Sequence, residues 1–174
     1  IRTGALSPQL LRPVNPLFFN LAETLAALPW RMIVLAPILA ILVWWRPEIL
    51  FQPGLGHGVA VVLSIALAFA ASWLVQVIFG LAAFWLDQST GIFSVYFAVW
   101  AFLSGYVVPI EFLPASFATL AHWLPFYATL GAPVDLATNG TPGSAFEVLG
   151  QQFLWVIVLG FAVRALLQSG LRRY

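Results

Sequence analysis

Between Gly58 and Leu86 the chain runs without a single charged residue. A helix needs about 20 residues to cross the hydrocarbon layer of a bilayer, so this stretch is long enough to span it. Of the 174 residues, 62% are hydrophobic and 7% are charged, whereas soluble domains carry roughly a quarter charged residues. The sequence therefore predicts an integral, all-α membrane protein and excludes a water-soluble domain.

Four stretches are apolar enough to be predicted as membrane spans, and they cover about residues 26–46, 58–86, 92–110 and 148–168. The first is interrupted by Arg31, whose long side chain can reach the headgroups, and Pro37 predicts a bend within it. No internal repeat or linker divides the sequence, so we predict a single transmembrane domain over residues 1–174.

The arginines predict the orientation of these spans, because positive charge near short loops stays in the cytoplasm. Most of them lie before the first span, near its start, or near or beyond the end of the last: Arg2, Arg12, Arg31, Arg164, Arg172 and Arg173. Four spans place both ends on one side of the membrane. We therefore expect a multi-pass protein of the bacterial cytoplasmic membrane with both ends of the chain cytoplasmic.

Residues 114–136 are too apolar for a free loop, yet Pro125, Gly131 and Pro133 break them. Irregular backbone at membrane depth persists only when it is buried against protein. We predict two short re-entrant helices that dip into the outer leaflet. Residues 1–30, by contrast, are predicted as a cytoplasmic or interfacial segment with short helices that begin near Pro8 and Pro16.

Several classes of chemistry lack the residues that they need. The chain has no cysteine and no lysine, so it cannot supply the lysine of a phosphate-binding loop, and any ATP hydrolysis must occur on another polypeptide. His57 and His122 lack a spaced third metal ligand. We expect no cofactor in this chain, no catalytic or metal site and no nucleic-acid partner.

Polar side chains within apolar stretches are the remaining candidates for function, because they are costly in lipid. Ser72, Gln76 and Ser104 are predicted to line a substrate path or to pack between helices. Small or polar residues recur every fourth position from Ala60 to Gly80, a spacing that allows close helix approach. This period drifts around a helix of 3.6 residues per turn, so the whole series cannot share one face.

Five segments, in this order and spacing, resemble ABC-2-type permeases, and most closely the bacterial viologen or drug exporter branch. They are Leu11-Arg12-Pro13-Val14, Phe84-Trp85-Leu86-Asp87-Gln88-Ser89-Thr90-Gly91, Phe102-Leu103-Ser104-Gly105-Tyr106-Val107-Val108-Pro109, Trp123-Leu124-Pro125-Phe126-Tyr127 and Leu171-Arg172-Arg173-Tyr174. The resemblance implies the transmembrane subunit of an ATP-driven exporter for an apolar or amphipathic small molecule. Such permeases have six spans, and the chain corresponds to the last four with the cytoplasmic loop before them.

The resemblance also implies partners. A coupling helix that docks on a separate ATPase subunit, which binds ATP and Mg²⁺, maps onto Ser7, Leu10, Leu11, Arg12 and Pro13. A second permease subunit, identical or different, is expected to complete the path within the lipid bilayer. Two alternatives stay open: an ion-coupled secondary carrier, which would need a titratable group at mid-membrane, and a non-catalytic membrane assembly subunit.

Overall fold

The computed structural model describes residues 16–45, 54–82, 90–138 and 142–172, and these ranges contain helices and turns but no strand. Several of the helices are long and strongly apolar. The predicted all-α membrane fold is therefore confirmed. The chain divides into two compact units, residues 1–52 and 53–174, which are described separately.

The described part of the first unit, residues 16–45, forms two helices, α1 (Pro16–Ala26) and α2 (Leu28–Trp45), separated by a turn at Ala27. Pro29 has no N–H to donate and restricts the residue before it, which accounts for the interruption. Backbone bonds still cross it, with the Ala27 N–H donating to the Glu23 carbonyl at 3.2 Å. Helix α2 runs on through Pro37, where one helical hydrogen bond is necessarily lost.

The second unit is built on two long helices, α3 (Leu55–Ala82) and α8 (Pro142–Leu171). Their contact, called the seam below, is the most extensive between any two described elements. Ser64 and Gln152 meet there, and each lies about a third of the way along its helix.

Small residues allow the close approach of α3 to α8 in the first half of the seam. Ala60, Ser64 and Ala68 are all buried, as expected where helices pack through small side chains. Further along α3 the buried positions change to Ala71 and Val75. A helix of 3.6 residues per turn requires this change, because a strict four-residue spacing moves gradually around its surface.

Helix α4 (Thr90–Leu103) is shorter than the third span predicted at residues 92–110. The chain turns at Gly105, which has a φ of +84°, in the left-handed region that glycine adopts without strain. The Val107 N–H then donates to the Ala101 carbonyl at 3.0 Å, which folds the chain back over the helix end. Hydropathy predicted a span that reached too far, because Val107, Val108 and Ile110 are apolar. In the structure these residues do not continue helix α4.

Three short helices follow, and together they are called the cap: α5 (Ala115–Trp123), α6 (Pro125–Thr129) and α7 (Gly131–Thr138). A single 3₁₀ turn, Ile110–Phe112, precedes them. Leu124 is extended, with φ −82° and ψ 155°, the conformation that a following proline favours. Residues 114–136 are thus helical in three pieces rather than in the two that their sequence suggested.

Three described stretches are long and apolar enough to cross a bilayer: Leu17–Ile38, Leu55–Ala82 and Ala145–Gly170. Four spans were predicted. Gly91–Leu103, which corresponds to the third of them, is apolar but shorter than these three.

Candidate functional site

A buried network around Gln152 joins the cap to both helices of the seam. Gln152 and Ser64 are fully buried, and the Ser64 hydroxyl donates to the Gln152 Oε1 at 2.8 Å. The Gln152 Nε2 donates to the carbonyl of Ala128 in α6 at 2.9 Å and to that of Ser64 at 3.1 Å. The Gln152 side chain of α8 thereby bonds to both α3 and α6. Its amide oxygen and its amide nitrogen both have partners.

Two further side chains of α8 hold the end of α5. The Gln151 Nε2 donates to the carbonyl of His122, and the indole N–H of Trp155 donates to the carbonyl of Trp123 at 3.2 Å. Carbonyls at a helix C-terminus lack partners within the helix. Side chains of α8 therefore donate hydrogen bonds to free carbonyls at the end of α5, and these bonds attach the cap to the seam.

Helix α4 contacts the cap through aromatic and hydroxyl groups. The indole N–H of Trp100 donates to the Thr129 hydroxyl at 2.8 Å, and that hydroxyl donates to the Phe126 carbonyl at 2.7 Å. The rings of Tyr96 and Phe126 lie 5.9 Å apart, within the usual range for interacting aromatic pairs. The end of α4 is thus positioned by α6.

Within the cap, Tyr127 is the central side chain. Its phenol donates to the Asp135 Oδ2 at 2.9 Å, and the ring of His122 packs edge-on against it with centroids 4.4 Å apart. Burial, and then the charge and hydrogen bond of Asp135, raise the pKa of the Tyr127 phenol. The phenol therefore stays protonated and remains the donor.

Gly131 allows the closest packing in the cap. A Cβ at this position would lie 2.4 Å from the Tyr127 Cδ2 and 3.0 Å from the carbonyl oxygen of Ser104. Neither the ring nor the backbone can move away easily. Only glycine lets α7 begin against both the α4 terminus and the Tyr127 ring.

A cavity of about 550 Å³ lies where the end of α4 turns into the cap, and it is called the elbow cavity below. This volume falls within the range of about 300–1,000 Å³ that is typical of small-molecule sites. Its lining comes from the turn after α4, from α5 and from α7: Ser104, Gly105, Tyr106, Pro109, Ile110, Glu111, His122, Leu130, Gly131, Val134, Asp135 and Thr138.

The lining of the elbow cavity is polar at some positions and apolar at others. Ser104 is fully buried, and its Oγ has no hydrogen-bond partner among the described residues. Glu111 and Tyr106 are exposed, while Asp135 is partly buried. Two carboxylates, one phenol, the His122 imidazole and the hydroxyls of Ser104 and Thr138 thus lie among apolar side chains.

The family model for ABC-2 family transporter proteins matches residues 1–174. The chain belongs to this family. It is therefore a multi-pass membrane permease of ABC transport, a role that implies an ABC ATPase subunit as partner. No curated protein and no solved structure is similar enough to this permease to give a significant match.

The permease brings only one of its predicted path or packing residues into the elbow cavity. Ser104 lines it, whereas Ser72 is partly buried and Gln76 is exposed on α3, and neither is part of the lining. The predicted docking residues fall outside the described residues: Ser7, Leu10, Leu11, Arg12 and Pro13. Their role stays a prediction.

The sequence did not identify Gln152 as a central residue, although a signal was available. Gln151 and Gln152 stand side by side in an otherwise apolar stretch, and an amide in lipid requires a partner. The partner could not be deduced, because Ser64 lies 88 residues away along the chain. The contribution of Asp135 to a cavity likewise depends on how α7 folds back beside α4.

Proposed function

We propose that this permease is the transmembrane subunit of an ATP-driven exporter and provides the path for an apolar or amphipathic small molecule. The observation that carries the proposal is the family match over residues 1–174, taken together with a sequence that has no lysine for a phosphate-binding loop. The permease moves the substrate, and the separate ATPase subunit, which binds ATP and Mg²⁺, drives the movement.

The proposed mechanism is alternating access between an inward-open and an outward-open state. ATP closes two ATPase subunits, their movement draws the docked coupling helices together, and two permease subunits, identical or different, separate on the outer side. The cap is tied to α8 by the bonds of Gln151, Gln152 and Trp155. Movement of α8 would therefore carry the cap with it.

The coupling segment is proposed to be Ser7–Val14, with Arg12 as its charged contact with the ATPase. The experiment is to copurify the ATPase with permease variants from the same membranes. Arg12→Glu should weaken copurification by about fivefold, since reversing a charge at the rim of an interface reduces binding without preventing folding. Transport and ATP hydrolysis should become uncoupled in the same variant.

Arg172→Glu is the matched control, because Arg172 is exposed and belongs to the other end of the chain on the same predicted side of the membrane. It should leave copurification unchanged. If replacement of Ser7–Val14 by a glycine-serine segment preserves ATPase binding, the docking assignment is wrong. If Arg12→Glu binds the ATPase normally but the replacement of the segment does not, Arg12 is not the contact and the rest of the segment still is.

The orientation of the permease in the bacterial cytoplasmic membrane is a separate proposal. Single cysteines can be introduced without a background, because the chain has none of its own. Cysteines at Thr3, Gly54, Gln88 and Gly140 should react with an impermeant maleimide from the inside, outside, inside and outside, respectively. Any other order contradicts the arrangement of four spans with both ends in the cytoplasm.

A further inference from the structure

We propose that the outward side of α8 binds an anionic phospholipid, with its phosphate held by Arg164 and Gln168 and an acyl chain lying on Ile157 and Phe161. These four residues, together with Arg172 just beyond the helix end, are called the basic face below. None of them lines the elbow cavity. Lipid binding there requires neither a transported substrate nor an ATPase subunit.

The helical repeat places Ile157, Phe161, Arg164 and Gln168 on one side of α8. At about 100° per residue they fall within about 60° of one another, and all four are exposed. The same repeat places the buried residues of this helix on the opposite side: Gln152, Leu159, Val163 and Gly170. The basic face therefore lies on the side of α8 that is turned away from the seam.

Arg164 lies within the part of α8 that is long and apolar enough to cross a bilayer, Ala145–Gly170. Along the helix axis it precedes Gly170 by roughly 9 Å. At this depth the long side chain can bring the guanidinium to the level of the headgroups while its methylene groups stay in the apolar region. An arginine so close to hydrocarbon requires a partner of opposite charge.

The two helices of the seam supply no carboxylate at this level. Helix α3 contains no acidic residue. The single acidic residue of α8 is Glu147, which precedes Arg164 by about 26 Å along the axis. The opposite charge therefore comes from outside the seam, and lipid is what the outward side of a membrane helix contacts.

The order of side chains along the basic face matches the order of groups in a phospholipid. Phe161 and Ile157 precede Arg164 in the helix and are 69% and 43% exposed, so they offer apolar surface to an acyl chain. The guanidinium can donate two parallel hydrogen bonds to a phosphate, and the Gln168 amide can donate another. Arg172 is exposed beyond the helix end, where a second positive charge favours an anionic headgroup over a zwitterionic one.

A second copy of this chain fits the basic face poorly. In a symmetric pair the same patch of both copies meets itself. Two Arg164 side chains would then face each other, and like charges across an interface are repulsive. The two copies also have the same orientation in one membrane, so the Glu147 side chains would lie at the wrong level to compensate.

Dioleoyl phosphatidylglycerol and dioleoyl phosphatidylcholine form a matched pair of probes. They share their acyl chains and a phosphate, but only the first carries a net charge. Each is titrated into the whole permease in maltoside micelles, and native mass spectrometry counts the lipids bound. We expect saturable binding of phosphatidylglycerol that is about twentyfold tighter, since each of two arginines contributes about fivefold. Equal binding of the two lipids would overturn the proposal.

Variants locate the site on α8. Arg164→Gln should weaken phosphatidylglycerol binding by about fivefold and leave phosphatidylcholine binding unchanged, and Arg164→Lys should retain most of the preference. Glu147→Gln is the control, because it changes the charge of the same helix at an exposed position far from the basic face, and it should bind like the parent. Unchanged lipid binding in Arg164→Gln refutes the assignment. A gain in Glu147→Gln as large as the loss in Arg164→Gln also refutes it, because binding would then follow net charge.

The same spectra distinguish the other possible occupants. If Arg164→Gln lowers the fraction of dimer rather than the lipid count, the basic face is a contact between copies and the lipid assignment is wrong. Displacement of the lipid by excess glycerol phosphate would likewise show a site for free phosphate. Should circular dichroism show that Arg164→Gln does not fold, Arg172→Gln decides: a loss of about fivefold supports the site, and no loss refutes it.

Discussion

The seam and the cap are held together by different means. In the seam, α3 and α8 approach through small apolar residues such as Ala68 and Ala71. In the cap, the helices are short, are interrupted at Leu124 and Leu130, and are bonded to α8 through Gln151, Gln152 and Trp155. Apart from the bonds between Gln152 and Ser64, the seam depends mainly on shape, whereas the cap depends on specific hydrogen bonds, so the two regions should respond to different substitutions.

The largest loss of stability is expected in the seam, at a position where the size of the side chain determines how closely the helices pack. Ala71 is fully buried in α3, and Ala71→Leu should lower the free energy of unfolding by about 2–3 kcal/mol, because a tightly packed contact cannot accept the extra volume. Unfolding is followed by circular dichroism in maltoside micelles titrated with dodecyl sulfate. The control is Ala66→Leu on the exposed side of α3, which should be neutral. Equal effects would contradict a shape-dependent seam.

Gln152→Leu tests the contribution of hydrogen bonds, because it keeps a side chain of similar size and removes its polar groups. The substitution leaves the Ala128 carbonyl without its donor and the Ser64 hydroxyl without its acceptor. We expect a loss of about 1–2 kcal/mol, near the upper end for hydrogen bonds between membrane helices. Gln76→Leu, at an exposed position of α3, should cost nothing in the same titration. If Gln152→Leu is more stable than the parent protein, the hydrogen bonds of Gln152 do not stabilise the contact between the cap and the seam.

The smallest effect is expected from Tyr127→Phe, which removes one phenol oxygen from the cap. Asp135 is partly exposed and can bind water instead, so the loss should be about 1 kcal/mol or less. Tyr106→Phe provides the comparison, because Tyr106 is exposed, and it should not change the unfolding midpoint. A loss well above this size would place Tyr127 among the main determinants of the cap.

Much of the seam could be predicted from sequence, and much of the cap could not. Long, strongly apolar stretches predict helices wherever they occur, and α3 and α8 cover most of two of them. The four-residue spacing from Ala60 indicated a close helix contact, and its first three members, Ala60, Ser64 and Ala68, are buried, whereas Gln76 and Gly80 are exposed. These features depend on local periodicity, which a single sequence contains.

The elbow cavity depends on contacts between residues that are distant in the chain. Ser104 was recognised as a polar residue in an apolar stretch, but its position in the cavity requires the turn at Gly105 and the return of α7. Gly105 and Pro109 were visible as helix-ending residues, yet hydropathy extended the predicted span to Ile110. The pairing of Gln152 with Ser64 likewise depends on the direction in which α8 packs against α3.

The early end of α4 has a consequence for the surrounding lipid. Its described part, Thr90–Leu103, has 14 residues and rises about 21 Å at about 1.5 Å each, and the turn at Gly105 prevents it from continuing. Beyond Leu103 the hydrophobic thickness of the bilayer has to be matched by the short helices of the cap rather than by one continuous helix. Short, broken helices cannot adjust to a thicker bilayer by tilting as one rod, so long-chain lipids should strain this region of the permease more than short-chain lipids.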